Sequence, residues 1–453
     1  MSPLQISLYC RLSLVFFFTS FLFFLDIFTA AIVAETCPHG NGTEVNQSEA
    51  GTESGKTDSV CDWTDLLAYG QTLFMVGLLL GSLVGGALSD RYGKRPVLLV
   101  CVCLHAFCGL VPAVFPQPIV FLAVRCVTGV CCCCINICSF SLAFLPFCFS
   151  LGTMGGAPLA WMSLTWTQLH LSLSLPQILC LPLYLWIPES PRWLLLKRRM
   201  DVLERYRSNS PADNQCLDLL LDSAWSDLQK ASEAGEEPTP GGHAPGDIIH
   251  LRHRTVLLRL FIMSYLSAAS ALTYYGICMN ISSFGVGVYS AQFFSGLSEA
   301  PCLLVPLVRL GRRPISMLAL FLSGASCFLS LLLSRYNGAP VLVMSLALLG
   351  KLCILAALFI SILYSIELFP TVCCVSLVNL CFRLGCLVNS LVPAHPNGTI
   401  SLAAMVVYSS GPIIGSALCL LLPETSGVPL PDTVQDCERQ PPPPSISALW
   451  RRR

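Results

Sequence analysis

The stretch "SDRYGKRP" (residues 89–96) separates two long apolar segments, and a related stretch, "VRLGRRP" (308–314), separates two more. In both, a glycine and several basic residues occupy a short connection. Glycine lets two helices approach closely, and clustered basic residues mark the cytoplasmic side of a membrane. A second pair, "PESPRWLL" (188–195) and "PETSGVPLP" (423–431), follows the sixth and the twelfth apolar segments. This double recurrence predicts two related halves with a substrate path between them.

The composition predicts a protein that crosses a membrane many times. Of the 453 residues, 54% are hydrophobic and 11% are charged, whereas soluble domains carry about 25% charged residues. The mean hydropathy is +0.68. The formal net charge of +0 gives no basis for a nucleic-acid partner. We find no nucleophile–base arrangement, phosphate-binding loop or metal-ligand spacing, and therefore expect no catalysis, no cofactor and no metal.

Twelve apolar segments are long enough to cross a lipid bilayer. They fall at 12–34, 68–88, 97–115, 119–138, 141–163, 168–187, 256–278, 287–308, 315–334, 340–363, 371–393 and 400–422. The first also resembles a signal peptide, but its length and Asp26 favour a retained helix. We expect a six-helix half at 1–187, a cytoplasmic linker at 188–255, a second half at 256–423 and a disordered cytoplasmic tail at 424–453.

The basic segments determine the predicted orientation. These segments are 90–95, 192–207, 250–254, 309–313 and the C-terminal "RRR". All of them lie on the cytoplasmic side if both termini are cytoplasmic. The loop 35–67 is then extracellular. N-glycosylation sequons at Asn41, Asn46 and Asn397 all fall on that side.

The chain contains 25 cysteines, most of them in apolar runs such as "GVCCCCINICSF" (129–140). Buried free cysteine behaves as a small hydrophobic residue, and four in a row on a helix point in four directions. We expect this run to pack between helices, with palmitoylation as an alternative. The predicted disulfide joins Cys37 and Cys61, which flank the polar extracellular loop.

Several stretches resemble one family. "GGALSDRYGKRP" (85–96) resembles the signature of the major facilitator superfamily, and Arg125 in "FLAVRCVTG" (121–129) resembles the arginine of its fourth helix. Longer stretches are similar to the organic ion transporter family, solute carrier family 22: "YGQTLFMVGLLLGSLVGGALSDRYGKRPVLL" (69–99), "YYGICMNISSFGVGVYSAQFFSGLSEAP" (274–301) and "YSIELFPT" (364–371). The resemblance implies an all-α membrane protein with the major facilitator superfamily fold, about 12 transmembrane helices in two halves. It also implies transport of small organic ions across the plasma membrane by alternating access.

The chain departs from this family in several places. The loop after the first segment is short, and residues 139–156 lack the family's glutamate–tryptophan pair and basic residues. Val308 stands where an aspartate would match Asp90, and "VCCVSL" (372–377) replaces a basic segment. These departures leave a non-transporting membrane protein of the same fold as an alternative.

"NLCFRLGCLVN" (379–389) places Arg383 inside the eleventh apolar segment. An ionised arginine at mid-helix costs about 2.5–3.5 kcal/mol and usually faces the bundle interior or a cavity. We interpret Arg383 as a contact for an anionic substrate. The resemblance implies the same, since anion-handling members carry an arginine in this helix where cation-handling members carry an aspartate. Alternatives are an ion pair with Asp26 or Glu299, or a position in a loop.

Further candidates complete the predicted site. For substrate contact they are Lys351, Tyr274, Tyr275 and Phe293. For the cytoplasmic gate they are Asp90, Arg91, Arg95, Arg125, Glu189, Arg192, Glu367 and Glu424. The predicted partners are a small organic ion, the lipid bilayer and a possible counter-transported ion. Besides anion transport, transport of an organic cation or zwitterion, with Asp26 or Glu299 as counter-ion, stays open.

Overall fold

The computed structural model describes residues 3–36, 64–67, 69–139, 145–190, 193–194, 202, 254–280, 287–299, 311–336, 339–369, 372–390 and 402–425. Fourteen α-helices lie within these ranges: α1 (Pro3–Phe23), α2 (Leu25–Thr36), α3 (Thr64–Leu67), α4 (Gly70–Tyr92), α5 (Lys94–Val114), α6 (Pro118–Ser139), α7 (Leu145–Met162), α8 (Trp166–Tyr184), α9 (Arg254–Met279), α10 (Val288–Glu299), α11 (Arg312–Arg335), α12 (Pro340–Leu368), α13 (Val372–Ser390) and α14 (Leu402–Leu418). A short 3-10 turn, Cys419–Leu421, follows α14. The described part of the chain contains no strand.

Each predicted apolar segment is represented by a helix, which confirms the all-α fold. Helices α1 and α2 together form the first span, and α3 is a single turn in the loop that follows. With α1 and α2 taken as one, seven helices in the described part of the chain combine the length and hydropathy needed to cross a bilayer. Helix α10 is described as far as Glu299, so the rest of the predicted eighth span lies outside the described residues.

The first helix begins earlier than predicted. The predicted apolar segment starts at residue 12, just after Arg11, but α1 begins at Pro3. The Arg11 side chain donates a hydrogen bond to the Trp186 carbonyl oxygen at the end of the first half. This contact gives the charge a partner, so the helix continues through it.

Some predictions concern residues that the structure does not describe. The sequons, the disulfide and one gate residue fall there: Asn41, Asn46, Asn397, Cys37, Cys61 and Arg192. The predicted linker and tail are described only in small part, at 188–190, 193–194, 202, 254–255 and 424–425. The structure therefore does not test these predictions.

Close helix packing in the first half depends on glycines. Gly77 and Gly81 lie one turn apart on α4, and a Cβ atom on Gly77 would lie 2.1 Å from the Cys126 carbonyl oxygen of α6. A Cβ on Gly129 of α6 would lie 2.2 Å from the Phe74 carbonyl oxygen of α4. Small residues four apart are a common device by which membrane helices bring their backbones together. The two helices are therefore in backbone contact.

The first signature forms a turn, and a glutamate from the end of the first half hydrogen-bonds to its backbone. Glu189 Oε1 accepts hydrogen bonds from the backbone N–H groups of Lys94 and Arg95, each at 3.1 Å. These N–H groups begin α5 and have no partner within the helix, and negative charge is favourable there. Gly93 has φ +101°, and a Cβ there would lie 2.7 Å from Glu189 Oε2. The glutamate of "PES" therefore caps the helix that follows the signature.

The second half repeats this arrangement. Glu424, from "PET", accepts hydrogen bonds from the backbone N–H groups of Arg312 at 2.8 Å and Arg313 at 3.1 Å. These residues begin α11, just as Lys94 and Arg95 begin α5. The sequence repeat is therefore also a structural repeat.

The guanidinium groups of the two signatures are also related. Arg95 donates to the Leu185 carbonyl oxygen at 2.8 Å, just beyond α8, and its counterpart Arg313 donates to the Cys419 carbonyl oxygen at 3.2 Å, just beyond α14. Each half thus joins its third helix to the end of its last.

Among the described residues, one ion pair of the second half has no counterpart in the first. Arg312 forms a salt bridge of 3.1 Å with Glu367 at the end of α12. Lys94 holds the position of Arg312 in the first signature, but residues 126–188 contain no acidic residue. The first half therefore offers no equivalent of Glu367 in its fourth, fifth or sixth segment.

Both signatures lie at one end of the helix bundle, which we call the signature end. Helix α13 begins shortly after Glu367, at that end, and runs away from it. At its far end the Ser390 carbonyl oxygen accepts a hydrogen bond of 3.1 Å from Thr72, near the start of α4. Since α4 ends at the first signature, α4 and α13 are antiparallel neighbours across the two halves.

Candidate substrate site

The two halves meet around a cluster of aromatic rings. Phe23 of α1 packs edge-on against Phe74 of α4 and Phe149 of α7, with ring centroids 5.2 and 5.3 Å apart. Phe23 also stacks with Tyr275 of α9 at 6.2 Å, and Tyr275 lies 6.5 Å from Phe382 of α13. This aromatic cluster joins three helices of the first half to two of the second.

Arg383 lies beside the aromatic cluster, next to Phe382. It is inside α13, a helix of 19 residues that spans Val372–Ser390, which excludes the alternative of a loop position. The side chain is half-buried, and its guanidinium carbon lies 5.4 Å from the Phe382 ring centroid. Its electrostatic neighbours are a phenol and thiols, from Tyr275, Cys132, Cys133 and Cys386.

No described carboxylate pairs with Arg383. The sequence offers Asp26 and Glu299 as partners, but Asp26 pairs with Arg125 and Glu299 pairs with Lys351. Both alternatives are therefore wrong for the conformation that the structure describes. Within the described residues, the charge of Arg383 stays available to a ligand.

Arg125 and Asp26 form a buried ion pair inside the first half. Arg125 is 1% exposed and donates a hydrogen bond of 2.8 Å to the Leu22 carbonyl oxygen. Its guanidinium carbon lies 4.4 Å from the ring centroid of Phe74. Because Phe74 and Asp90 are sixteen residues apart on α4, the pair lies about 24 Å of helix from the signature. The structure therefore separates Arg125 from the cytoplasmic gate in which the sequence places it.

Lys351 of α12 and Glu299 of α10 form a second buried ion pair, with Nζ and Oε1 2.7 Å apart. The Tyr274 hydroxyl donates to Oε1 at 2.9 Å, and the Ser150 hydroxyl of α7 donates to Oε2 at 2.8 Å. Lys351 also donates to the Ser295 hydroxyl. Lys351 and Tyr274, both predicted substrate contacts, therefore hold an internal carboxylate in this conformation.

The last predicted substrate contact, Phe293, belongs to a different region. It is half-buried against a cluster of first-half side chains that includes Phe21, Phe28 and Ala157. One turn earlier on α10, Tyr289 stacks with Phe28 at 5.9 Å. This part of α10 therefore packs against the first half rather than against Arg383.

The remaining predicted gate residues lie at the signature end. Asp90, Arg91 and Arg95 are exposed, and Arg91 lies 5.4 Å from the ring of its neighbour Tyr92. Among the described residues, the side chains of Asp90 and Arg91 make no ion pair with the other half. The three predicted glutamates make contacts within their own halves, as described above for Glu189, Glu367 and Glu424.

The sequence did not predict two polar features of the interior. Ser150 and Ser295 complete the contacts of the Glu299–Lys351 pair, but serines are too common in membrane helices to stand out. In the first half, His105 hydrogen-bonds to Gln177 at 2.9 Å, and the buried His170 ring packs against Trp166 with ring centroids 4.8 Å apart. The sequence could have revealed these two histidines, because both lie inside predicted apolar segments.

Comparison with known proteins identifies the family. Residues 14–416 match the Major Facilitator Superfamily. The chain is 31% identical over 442 residues to solute carrier family 22 member 13 of Homo sapiens. The alignment covers 92% of this chain and 77% of that protein. The chain belongs to solute carrier family 22. This solute carrier is also 30% identical over 408 residues to member 6 from Pseudopleuronectes americanus, covering 84% of this chain and 70% of the relative. It is 29% identical over 419 residues to organic anion transporter 3 from Oryctolagus cuniculus, covering 84% and 73%.

Solved structures agree with this family in fold. The proton:xylose symporter XylE bound to 6-bromo-6-deoxy-D-glucose superposes with a TM-score of 0.65 at 15% identity, covering 96% of this solute carrier and 99% of that chain. The inward open conformation of XylE from E. coli gives a TM-score of 0.63 at 17% identity, covering 94% and 98%. The solute carrier is thus a multi-pass membrane transporter with the major facilitator fold, and its family implies a small-molecule substrate.

Proposed function

We propose that this solute carrier moves small organic anions across the plasma membrane by alternating access, as facilitated diffusion or as exchange against a second ion. Arg383 is the observation that carries the proposal. It places a permanent cation in mid-helix, where the two halves meet, with no acid partner among the described residues. A half-buried arginine in a membrane is costly, and a substrate carboxylate or sulfonate offsets that cost through paired hydrogen bonds to the guanidinium group.

The surroundings of Arg383 favour an organic anion over a small inorganic one. Phe382 and Tyr275 place aromatic rings beside the guanidinium group, and Phe23 stacks behind Tyr275. Such rings pack well against the apolar body of an organic molecule. We therefore propose Arg383 and Tyr275 as substrate contacts, and Phe293 as a contact only at the edge of the path.

A cation substrate has less support. Its candidate counter-ions, Asp26 and Glu299, are each neutralised by a basic side chain. The name of one relative, organic anion transporter 3, points in the same direction as Arg383.

The orientation and the gate are also proposals. We place the signature end and both termini in the cytoplasm, because the basic segments lie on that side. Asp90, Arg91, Arg95 and Arg192 are proposed to meet the opposite half when the bundle closes at the signature end. Glu189, Glu367 and Glu424 would keep each half rigid during that movement.

Uptake of an anionic fluorescein-type dye into cells expressing the protein tests the proposal. Arg383→Ala is expected to lower uptake roughly ten- to hundredfold, because hydrogen bonds to a charged group contribute about 1.5–3 kcal/mol. Arg383→Lys should retain an intermediate rate, since lysine keeps the charge but not the paired geometry. Arg335→Ala, at an exposed arginine at the end of α11, is the matched control. Equal uptake by Arg383→Ala at equal surface amount, or no uptake of any organic ion by the wild type, would overturn the proposal.

A further inference from the structure

We propose that the side chains around Glu299 form a binding site for a small carboxylate, which Glu299 fills in this conformation and which a substrate carboxylate takes over when Glu299 leaves. Only the second part rests on the proposed function, since the site itself follows from contacts at Glu299. The site is also distinct from the Arg383 contact, because the Lys351 ammonium group is its cation.

Every oxygen of the Glu299 carboxylate has a donor. Oε1 receives the Lys351 ammonium group at 2.7 Å and the Tyr274 hydroxyl at 2.9 Å. Oε2 receives the Ser150 hydroxyl at 2.8 Å. One cation and two hydroxyl donors that converge on two oxygens match the charge and shape of a carboxylate.

The side chains that donate to Glu299 are themselves held by further contacts. Lys351 Nζ also donates to the Ser295 hydroxyl and lies 5.3 Å from the Tyr274 ring centroid. The five side chains that form the site, including Glu299, are 0–7% exposed. A buried ammonium group is strongly unfavourable without an anion. A cavity left by truncating Glu299 would therefore select for a replacement anion with the same two oxygens.

The site spans both halves of the transporter. Ser150 belongs to α7 of the first half, whereas the other members belong to α9, α10 and α12 of the second. One turn before Glu299, a Cβ on Gly296 would lie 3.0 Å from the Ser150 carbonyl oxygen, so α10 and α7 are in backbone contact there. When the halves move apart, Glu299 loses the Ser150 donor and becomes easier to displace. Carboxylate occupancy and the packing of the halves are thus coupled.

Chemical complementation tests the site without relying on transport. In Glu299→Ala, formate supplies the missing carboxylate, and the deleted methylene leaves room for it. The full chain, purified in detergent, is unfolded thermally in sodium formate and in sodium chloride at equal ionic strength. We expect formate to give a saturable rise in Tm that chloride does not give. Equal Tm values in the two salts would overturn the proposal.

Three further variants separate this site from a general salt effect. Glu299→Ala/Lys351→Ala removes the cation and should abolish the response to formate. Glu299→Ala/Ser150→Ala removes one donor and should raise the half-effective formate concentration about tenfold. Glu367→Ala removes another ion-paired glutamate, at the signature end, and should show no difference between formate and chloride. A formate response in Glu367→Ala as large as in Glu299→Ala would contradict a specific site.

If Glu299→Ala yields no folded protein in chloride, recovery replaces Tm as the readout. Cells that express the variant are grown and extracted with formate or with chloride, and monodisperse protein is quantified. Recovery that requires formate supports the site, and equal recovery in the two salts overturns it. Arg383→Ala is expected to leave the formate response of Glu299→Ala unchanged, so failure of the proposed function and failure of this inference are distinguishable.

Discussion

Replacing Asp26 with alanine is expected to destabilise the protein by about 3–5 kcal/mol, because it leaves a buried arginine without its anion. Arg125 is 1% exposed and its other described hydrogen bond goes to the Leu22 carbonyl oxygen. Neither a carbonyl oxygen nor the Phe74 ring carries the negative charge that Asp26 supplies. The expected result is a large fall in Tm of the purified protein, or its loss from the membrane fraction.

The double variant Asp26→Leu/Arg125→Met is the control for this prediction. Replacing both members of a buried ion pair with apolar residues of similar size is often neutral or stabilising. We therefore expect the double variant to recover most of the stability that Asp26→Ala loses. A Tm of Asp26→Ala within about 1 °C of wild type would show that the pair does not stabilise the fold.

Replacing Gly77 with leucine is expected to prevent the first half from folding. A Cβ atom alone would lie 2.1 Å from the Cys126 carbonyl oxygen, and backbone atoms of α6 cannot yield as a flexible side chain can. Helices α4 and α6 would have to separate, and the buried Phe74, Cys132 and Cys133 would lose their packing. Overpacking at such a contact costs more than the usual 1–3 kcal/mol of a core insertion. The measurement is the yield of monodisperse protein by size-exclusion chromatography.

Gly86→Leu is the matched control for Gly77→Leu. Gly86 lies on the same helix, but a Cβ there would meet no atom within 4 Å. We expect a yield and Tm close to wild type, with any change set by helix propensity, which favours leucine over glycine. Equal losses from the two substitutions would show that the backbone contact of α4 and α6 is not what limits folding.

The architecture could be predicted from the sequence because it depends on local properties. The length of each apolar segment and the basic turns are visible in single stretches, and the recurrence of "PES" and "PET" marks the two halves. The structure adds what these glutamates do. Glu189 and Glu424 cap the helices that follow the two signatures, a contact between residues about 95 and 112 positions apart in the chain. A contact between residues this far apart in the chain cannot be predicted from any local sequence pattern.

The pairing of the internal charges could not be predicted in the same way. Asp26, Glu299 and Arg383 were each recognisable as charges inside apolar segments. Which acid meets which base depends on the rotation of each helix and on which helices are neighbours. The sequence offered both acids as possible ion-pair partners of Arg383, whereas they pair with Arg125 and Lys351. Arg383 is thereby left beside aromatic rings and thiols, which strengthens its interpretation as a ligand contact.

If Arg383 binds the substrate, the sign of the charge at this position sets which organic ions the transporter prefers, and reversing that charge should reverse the preference. Wild type and Arg383→Asp are reconstituted in liposomes, and initial uptake of a labelled aromatic carboxylate is divided by that of a labelled aromatic quaternary amine of similar size. A fixed cation should favour the carboxylate, and a fixed anion at the same place should favour the amine. We expect this ratio to be well above one for wild type and below one for Arg383→Asp. An unchanged ratio, with both proteins folded and active, would contradict this expectation.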